Sequence, residues 1–170
     1  MSLLKTHLTE TTTWSLDDGE EVPKQFSSTT EELDNLTNQA ALLDFSHRSL
    51  VEISGPERVN FLQGLITNQV KTVQKNQSIY SAMLTPQGRF QYDFTIIEAG
   101  ETLFLETEPQ QGTKLTQALS FYLMRTKATI RDISTDYGII AIAGPQATRR
   151  VDELFPDCAI KEDTPLGATF

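Results

Sequence analysis

The sequence predicts an α+β fold in which antiparallel sheets carry helices and one strand–Gly-Pro–helix unit occurs twice. Two observations lead there. The stretch from Ser78 to Thr107 reads as three antiparallel strands joined by tight turns, with aromatic and β-branched runs separated by Pro86, Gly88 and Gly100. And Val51-Glu52-Ile53-Ser54-Gly55-Pro56-Glu57 shares its grammar with Ile140-Ala141-Ile142-Ala143-Gly144-Pro145-Gln146, 89 residues later (145 − 56 = 89). A repeat that long is a duplicated α+β unit, not a solenoid.

The elements follow in order. Residues 1–30 form a polar, Thr- and Ser-rich N-terminal arm anchored by Trp14, strand-like around Thr11–Leu16. Thr30 caps a helix over Glu31–Gln39 with Leu33 and Leu36 inward. Asp44-Phe45-Ser46-His47 follows. Neighbours in an extended chain point to alternate faces, so these residues form no catalytic triad, and His47 is a local packing or hydrogen-bonding residue. Ser49–Ser54 is a strand, and Gly55-Pro56 opens a helix over Glu57–Ile66 with Val59, Phe61, Leu62, Leu65 and Ile66 buried. Lys71–Gln77 is a polar loop. Pro109 starts a helix over Gln110–Leu123 with Leu115, Leu119, Tyr122 and Leu123 inward. Lys127–Ile133 is a strand, and the apolar run Tyr137–Ala143 is a central strand buried on both faces. Gly144-Pro145 opens a second helix, Gln146–Phe155. Residues 31–158 thus form the domain, and 159–170 a tail that stops where another strand is expected, leading toward a missing C-terminal part.

In the middle strand of the 78–107 stretch, Phe90, Tyr92, Phe94 and Ile96 fall on one face and Arg89, Gln91, Asp93 and Thr95 on the other. Aspartate is depleted in strands, so Asp93 calls for a reason, either a solvated face or a site. The register of the hairpin decides its neighbours. Pro86 cannot adopt positive φ, which favours a type I turn with a glycine bulge at Gly88. That register sets Ser81 against Asp93, with Tyr80 opposite Phe94 on the other face. The unbulged register sets Tyr80 against Asp93.

Composition removes several functions. The chain has 170 residues, a net charge of −9 and a single cysteine. This balance argues against direct nucleic-acid binding and against an anionic membrane surface. Cys158 has only Lys161 nearby to favour a thiolate and is read as inert. Two histidines are too few for a transition-metal site. No apolar run spans a bilayer and no leader pattern opens the chain, so a cytoplasmic location is expected. Phosphate-loop, dinucleotide, zinc-protease and serine-hydrolase motifs are absent.

The ordered series Asp44-Phe45-Ser46-His47, Gly55-Pro56, Phe61-Leu62-x-x-Leu65-x-Thr67-Asn68, Tyr80-Ser81-x-Met83, Gly88, Asp93 and Gly144-Pro145 resembles the front half of the folate-binding domain shared by glycine-cleavage T-proteins (aminomethyltransferases) and YgfZ-like proteins. The similarity covers about Ala41 to Gln146. The hairpin wording Gly88-Arg89-Phe90 is similar to the YgfZ-like side, and Tyr92 stands where T-proteins more often carry the first of two aspartates. Gln69 replaces the aspartate that usually follows Thr-Asn.

The resemblance implies binding of tetrahydrofolate or another reduced folate. It places Asp93 as the carboxylate near the folate amine, catalytic in T-proteins, with Tyr80 lining the pocket, so that Asp93 borders a cavity shaped for a reduced pterin. It also implies a role beside iron–sulfur enzymes, including those that modify tRNA, without methylene transfer. The alternatives are an aminomethyltransferase and a ligand-free structural fragment. The Lys-Gly-Cys-x-x-Gly-Gln-Glu motif of the YgfZ-like side is absent, and the acidic residue that grips the pterin is expected past Phe170. A carboxylate against aromatic surface suits proton handling at an amine, because desolvation raises its pKa.

Overall fold

The computed structural model describes residues 13–17 and 20–156. Cys158, the 159–170 tail and the first residues of the arm lie outside them. The described residues divide into two compact units, one spanning Arg48–Ser134 and the other taking in those up to His47 and again from Thr135.

The first unit is built on a five-stranded antiparallel sheet. Its strands are β4 (Ser49–Ser54), β5 (Ser78–Leu84), β6 (Phe90–Glu98), β7 (Thr102–Thr107) and β8 (Thr129–Asp132), in the order β5-β6-β7-β4-β8. The alternation expected of half-buried strands is present: Val51, Ile53, Phe94, Ile96, Leu103 and Leu105 are all buried on one face. Two helices supply the rest of this core, α2 (Arg58–Gln63) through Phe61 and Leu62 and α3 (Gly112–Phe121) through Leu115 and Leu119. Both helices are shorter than expected. Tyr122 follows α3 and stays solvent-facing.

In the second unit β1 (Thr13–Asp17) pairs with β2 (Glu20–Gln25), and β3 (Ala41–Asp44) pairs with β9 (Ile140–Ala143). Helix α1 (Thr29–Asn38) precedes β3, and α4 (Ala147–Leu154) follows β9. Three expectations are corrected here. Ser28 caps α1 in place of Thr30, its Oγ accepting the Glu31 N–H, while Glu32 accepts the Phe26 and Ser27 N–H groups at 2.6 and 2.9 Å. Leu33 and Leu36 remain exposed. The apolar run ending at Ala143 is no central strand: β9 is short, has one partner among the described residues, and leaves Ile140 exposed, because an apolar run specifies burial but not the number of neighbours.

The duplication is real and deeper than the Gly-Pro grammar. Gly55 and Gly144 both have positive φ, +102° and +118°. A Cβ on Gly55 would stand 2.6 Å from the Lys127 carbonyl oxygen, and one on Gly144 2.7 Å from that of Gln39. The Glu57 N–H donates to the Lys127 carbonyl, and the Gln146 N–H to the Gln39 carbonyl. Each partner strand then ends in Asp-x-Ser. The Asp44 carboxylate accepts the Ser46 N–H at 2.8 Å, and the Ile139 N–H donates to Ser46 Oγ at 3.2 Å. The Asp132 carboxylate accepts the Ser134 N–H at 3.1 Å, and the Leu50 N–H donates to Ser134 Oγ at 3.0 Å. The sequence repeats as α1-β3-β4-α2 and α3-β8-β9-α4, but pairing is exchanged: β3 joins β9 and β4 joins β8.

Asp132 also accepts the Thr113 hydroxyl at 2.7 Å, fastening β8 to the first turn of α3. Burial pushes its pKa up, but the Ser134 and Thr113 hydrogen bonds outweigh this and hold it below the usual carboxylate value. A folded pKa below the unfolded one adds stability above the unfolded pKa and loses it as pH falls through the folded one. Asp132→Asn is therefore expected to cost about 1 kcal/mol at pH 7, with the gap to the parent chain closing below pH 4 in urea unfolding.

Candidate functional site

The 78–107 meander forms β5, β6 and β7, but the hairpin register is neither of the two weighed from sequence. The turn is as expected: the Gly88 N–H donates to the Thr85 carbonyl, the Thr85 N–H to the Arg89 carbonyl, and Gly88 has φ +75°. The register then shifts again, with Leu84 facing Phe90 but Met83 facing Tyr92, so that Gln91 is an extra residue on β6. This second irregularity turns Phe90 out of the aromatic stripe, and Phe90 is exposed. It also sets Ala82 against Asp93 and Tyr80 against Thr95.

Tyr80 and Asp93 are consequently diagonal neighbours on the same face, the face away from the core. The Tyr80 hydroxyl donates to Asp93 Oδ2 at 2.6 Å. Tyr80 is 51% exposed and Asp93 half-buried. The hydrogen bond to Asp93, with some burial and the charges of Asp93 and Glu108, raises the Tyr80 pKa above the ordinary phenol value. Tyr80 is thus a donor at neutral pH.

Both residues are held from behind. Thr107, itself buried, donates its hydroxyl to the Asp93 carbonyl at 2.7 Å. Thr67 and Asn68 run along the outer edge of β5. The Thr67 N–H donates to the Ala82 carbonyl at 2.9 Å, and the Ala82 N–H donates to Thr67 Oγ1 at 3.1 Å. Asn68 Nδ2 donates to the Tyr80 carbonyl at 3.0 Å, and the Asn68 N–H donates to Ser81 Oγ at 3.2 Å. The Thr-Asn motif thereby satisfies the free edge of the strand that carries Tyr80. Sequence reading identified Thr67-Asn68 only as part of a family pattern; a polar pair just after a helix carries no signal of the strand it will border.

The face bears further charge. Arg48, just ahead of β4, pairs through Nε with Glu106 on β7 and through Nη1 with Glu108 at 2.9 Å. Farther along, Arg131 and Glu52 approach to 4.0 Å. Outside this face, His47 packs edge-on against Phe45 with ring centroids 6.2 Å apart, and its buried Nδ1 has no partner among the described residues. A cavity of about 590 Å³ lies in the other unit, walled by Phe26, Leu33, Leu36, Leu42 and Phe45, and neither Asp93 nor Tyr80 lines it.

Residues 3–167 match the GCVT N-terminal domain family, and the chain belongs to it. Among curated proteins it is 30% identical to an aminomethyltransferase of Bacillus velezensis over 131 residues, covering 76% of this chain and 35% of that protein. It is 32% identical to an aminomethyltransferase of Bacillus subtilis over 129 residues, covering 76% and 36%. The chain thus spans about a third of the length of these relatives. Among solved structures, the glycine cleavage system aminomethyltransferase T of Bartonella henselae superimposes with a TM-score of 0.73 at 19% identity, covering 84% of this chain and 40% of that one. This likeness establishes the α+β fold.

Proposed function

We propose that this chain carries the folate-facing carboxylate of a tetrahydrofolate-dependent protein, with Asp93 receiving the proton at the folate amine and Tyr80 as its hydrogen-bond donor. The 2.6 Å bond between them, on an accessible sheet face, carries this reading. A reduced pterin offers a flat ring and N–H donors. A carboxylate accepts such N–H groups, and a half-exposed phenol supplies an apolar ring face beside a polar tip. Tetrahydrofolate, when bound, supplies the amine that takes up the one-carbon unit. The Tyr80 hydroxyl holds the carboxylate in one orientation, and Asp93 accepts the proton that the amine gives up.

The relatives' names support transfer from an aminomethyl carrier as the reaction. A second reading is favoured by Tyr92, which packs against the core where T-proteins more often place the first of two aspartates. In it the protein binds reduced folate in the cytoplasm and supports iron–sulfur and tRNA-modifying enzymes without moving the carbon.

Calorimetric titration of the chain with 5-formyltetrahydrofolate tests what the two readings share. Saturable uptake is expected, with amide shifts centred on Tyr80, Ala82, Asp93 and Thr95. No saturation at millimolar ligand would falsify both. Ammonia release from an aminomethyl-lipoyl carrier on addition of tetrahydrofolate separates the first reading from the second.

A further inference from the structure

The face that carries Tyr80 and Asp93 holds more acid than one phenol–carboxylate pair needs. Thr95 faces Glu106 across β6 and β7, and two residues further along each chain stand Asp93 and Glu108. The Glu108 charge already acts on the Tyr80 hydroxyl. Three carboxylates so placed would compete for one donor and repel an anionic ligand. Arg48 stands on the opposite flank, one residue beyond the Ser49–Thr107 pair, and its planar fork engages both glutamates, Glu106 through Nε and Glu108 through Nη1 at 2.9 Å.

We propose that Arg48 is a positioning residue for the Tyr80–Asp93 pair: by holding Glu106 and Glu108 it leaves Asp93 as the single carboxylate offered to the Tyr80 hydroxyl and to a ligand. The inference rests on the reading of that pair as folate-facing. The side chains of Arg48 and Glu106 are 25% and 18% exposed, so their contact is well sheltered, whereas Glu108 is 59% exposed and swings free once its partner is gone. The charged groups that act on the Tyr80 hydroxyl are Asp93 on β6 and Glu108 just after β7; Arg48, ahead of β4, holds Glu108 and Glu106, and farther along the face Glu52 and Arg131 approach each other. Removing Arg48 therefore adds uncompensated negative charge on the flank facing Tyr80. Removing Glu108 withdraws it.

The experiment is a pH titration of tyrosine ionisation in the ligand-free chain, with the Tyr80 signal assigned by loss in Tyr80→Phe. In Arg48→Met, Tyr80 is expected to ionise at higher pH than in the parent chain, and adding Glu108→Gln is expected to bring it back. A merely structural arginine would lower the melting temperature and leave the Tyr80 titration where it was. That result, in a variant whose amide spectrum shows the fold intact, overturns the proposal. Should Arg48→Met not fold, the Glu106→Gln/Glu108→Gln chain is measured in its place. There Tyr80 is expected to ionise at lower pH, and an unchanged titration again overturns the proposal. These readouts need no folate: failure of 5-formyltetrahydrofolate to bind removes the folate reading, whereas an unmoved Tyr80 removes the role of Arg48.

Discussion

Gly55→Ala is expected to destabilise the protein by about 3–5 kcal/mol, enough to unfold much of the 48–134 unit at 37 °C. Two costs combine. An L-residue is strained at φ +102°, and the new Cβ would meet the Lys127 carbonyl oxygen at 2.6 Å and the Ala128 Cα at 3.0 Å. The neighbouring backbone cannot yield cheaply, because the Glu57 N–H and side chain both bind the 127 peptide and β8 starts two residues on. Gly88→Ala is the control. It also has positive φ, +75°, but nothing lies within 4 Å of its Cβ position, so a loss of about 1 kcal/mol is expected. Urea unfolding of the two variants, followed by circular dichroism, measures the difference. Equal losses would mean that backbone strain alone, and not the close approach, sets the requirement for glycine.

The largest functional effect is expected from Asp93→Asn. On the proposed reading it removes the proton acceptor while keeping shape, and a loss of about 10²-fold or more in folate-dependent transfer is expected. Tyr80→Phe, which removes only the orienting hydrogen bond, is expected to cost about 10-fold. Stability should change by no more than about 0.5 kcal/mol for Asp93→Asn, because the strand is held there through the Asp93 carbonyl and Thr107, not through the carboxylate. If the protein binds folate without transferring carbon, the same order appears in dissociation constants. An Asp93→Asn chain with unchanged affinity and rate would return Asp93 to an ordinary solvated strand position.

Much of this was legible in the residues, and the failures have physical causes. The three strands of the meander were readable because alternation and Pro/Gly punctuation agree. The Thr85–Gly88 turn followed from the inability of Pro86 to take positive φ. The register did not follow, since nothing in Phe90-Gln91-Tyr92 marks the extra residue at Gln91; side-chain packing decides it. That one slip brought Tyr80 to Asp93, which the turn chemistry had argued against and the family resemblance had implied. The Gly-Pro repeat was legible as grammar, but its reason, a close approach of two backbones, is not written in a glycine. The second Asp-x-Ser was visible: Asp44 and Asp132 stand 88 residues apart (132 − 44 = 88). Its role as a turn is not marked, because an Asp-x-Ser triplet suits catalysis and turn-making alike. Ser28 displaced Thr30 as the helix cap because hydroxyl-bearing positions two residues apart differ little in intrinsic preference.

The exchanged strand pairing sets an order of events at birth. Residues 48–134 are continuous, and their two ends leave side by side, Val51 facing Asp132, so this segment closes on itself as soon as it is made. Ala41–Asp44 must wait for Ile140–Ala143, 99 residues later (140 − 41 = 99), before the first of them to be synthesised finds a partner. A chain released before Ile140 would therefore hold a finished inner body and an orphaned strand ahead of it.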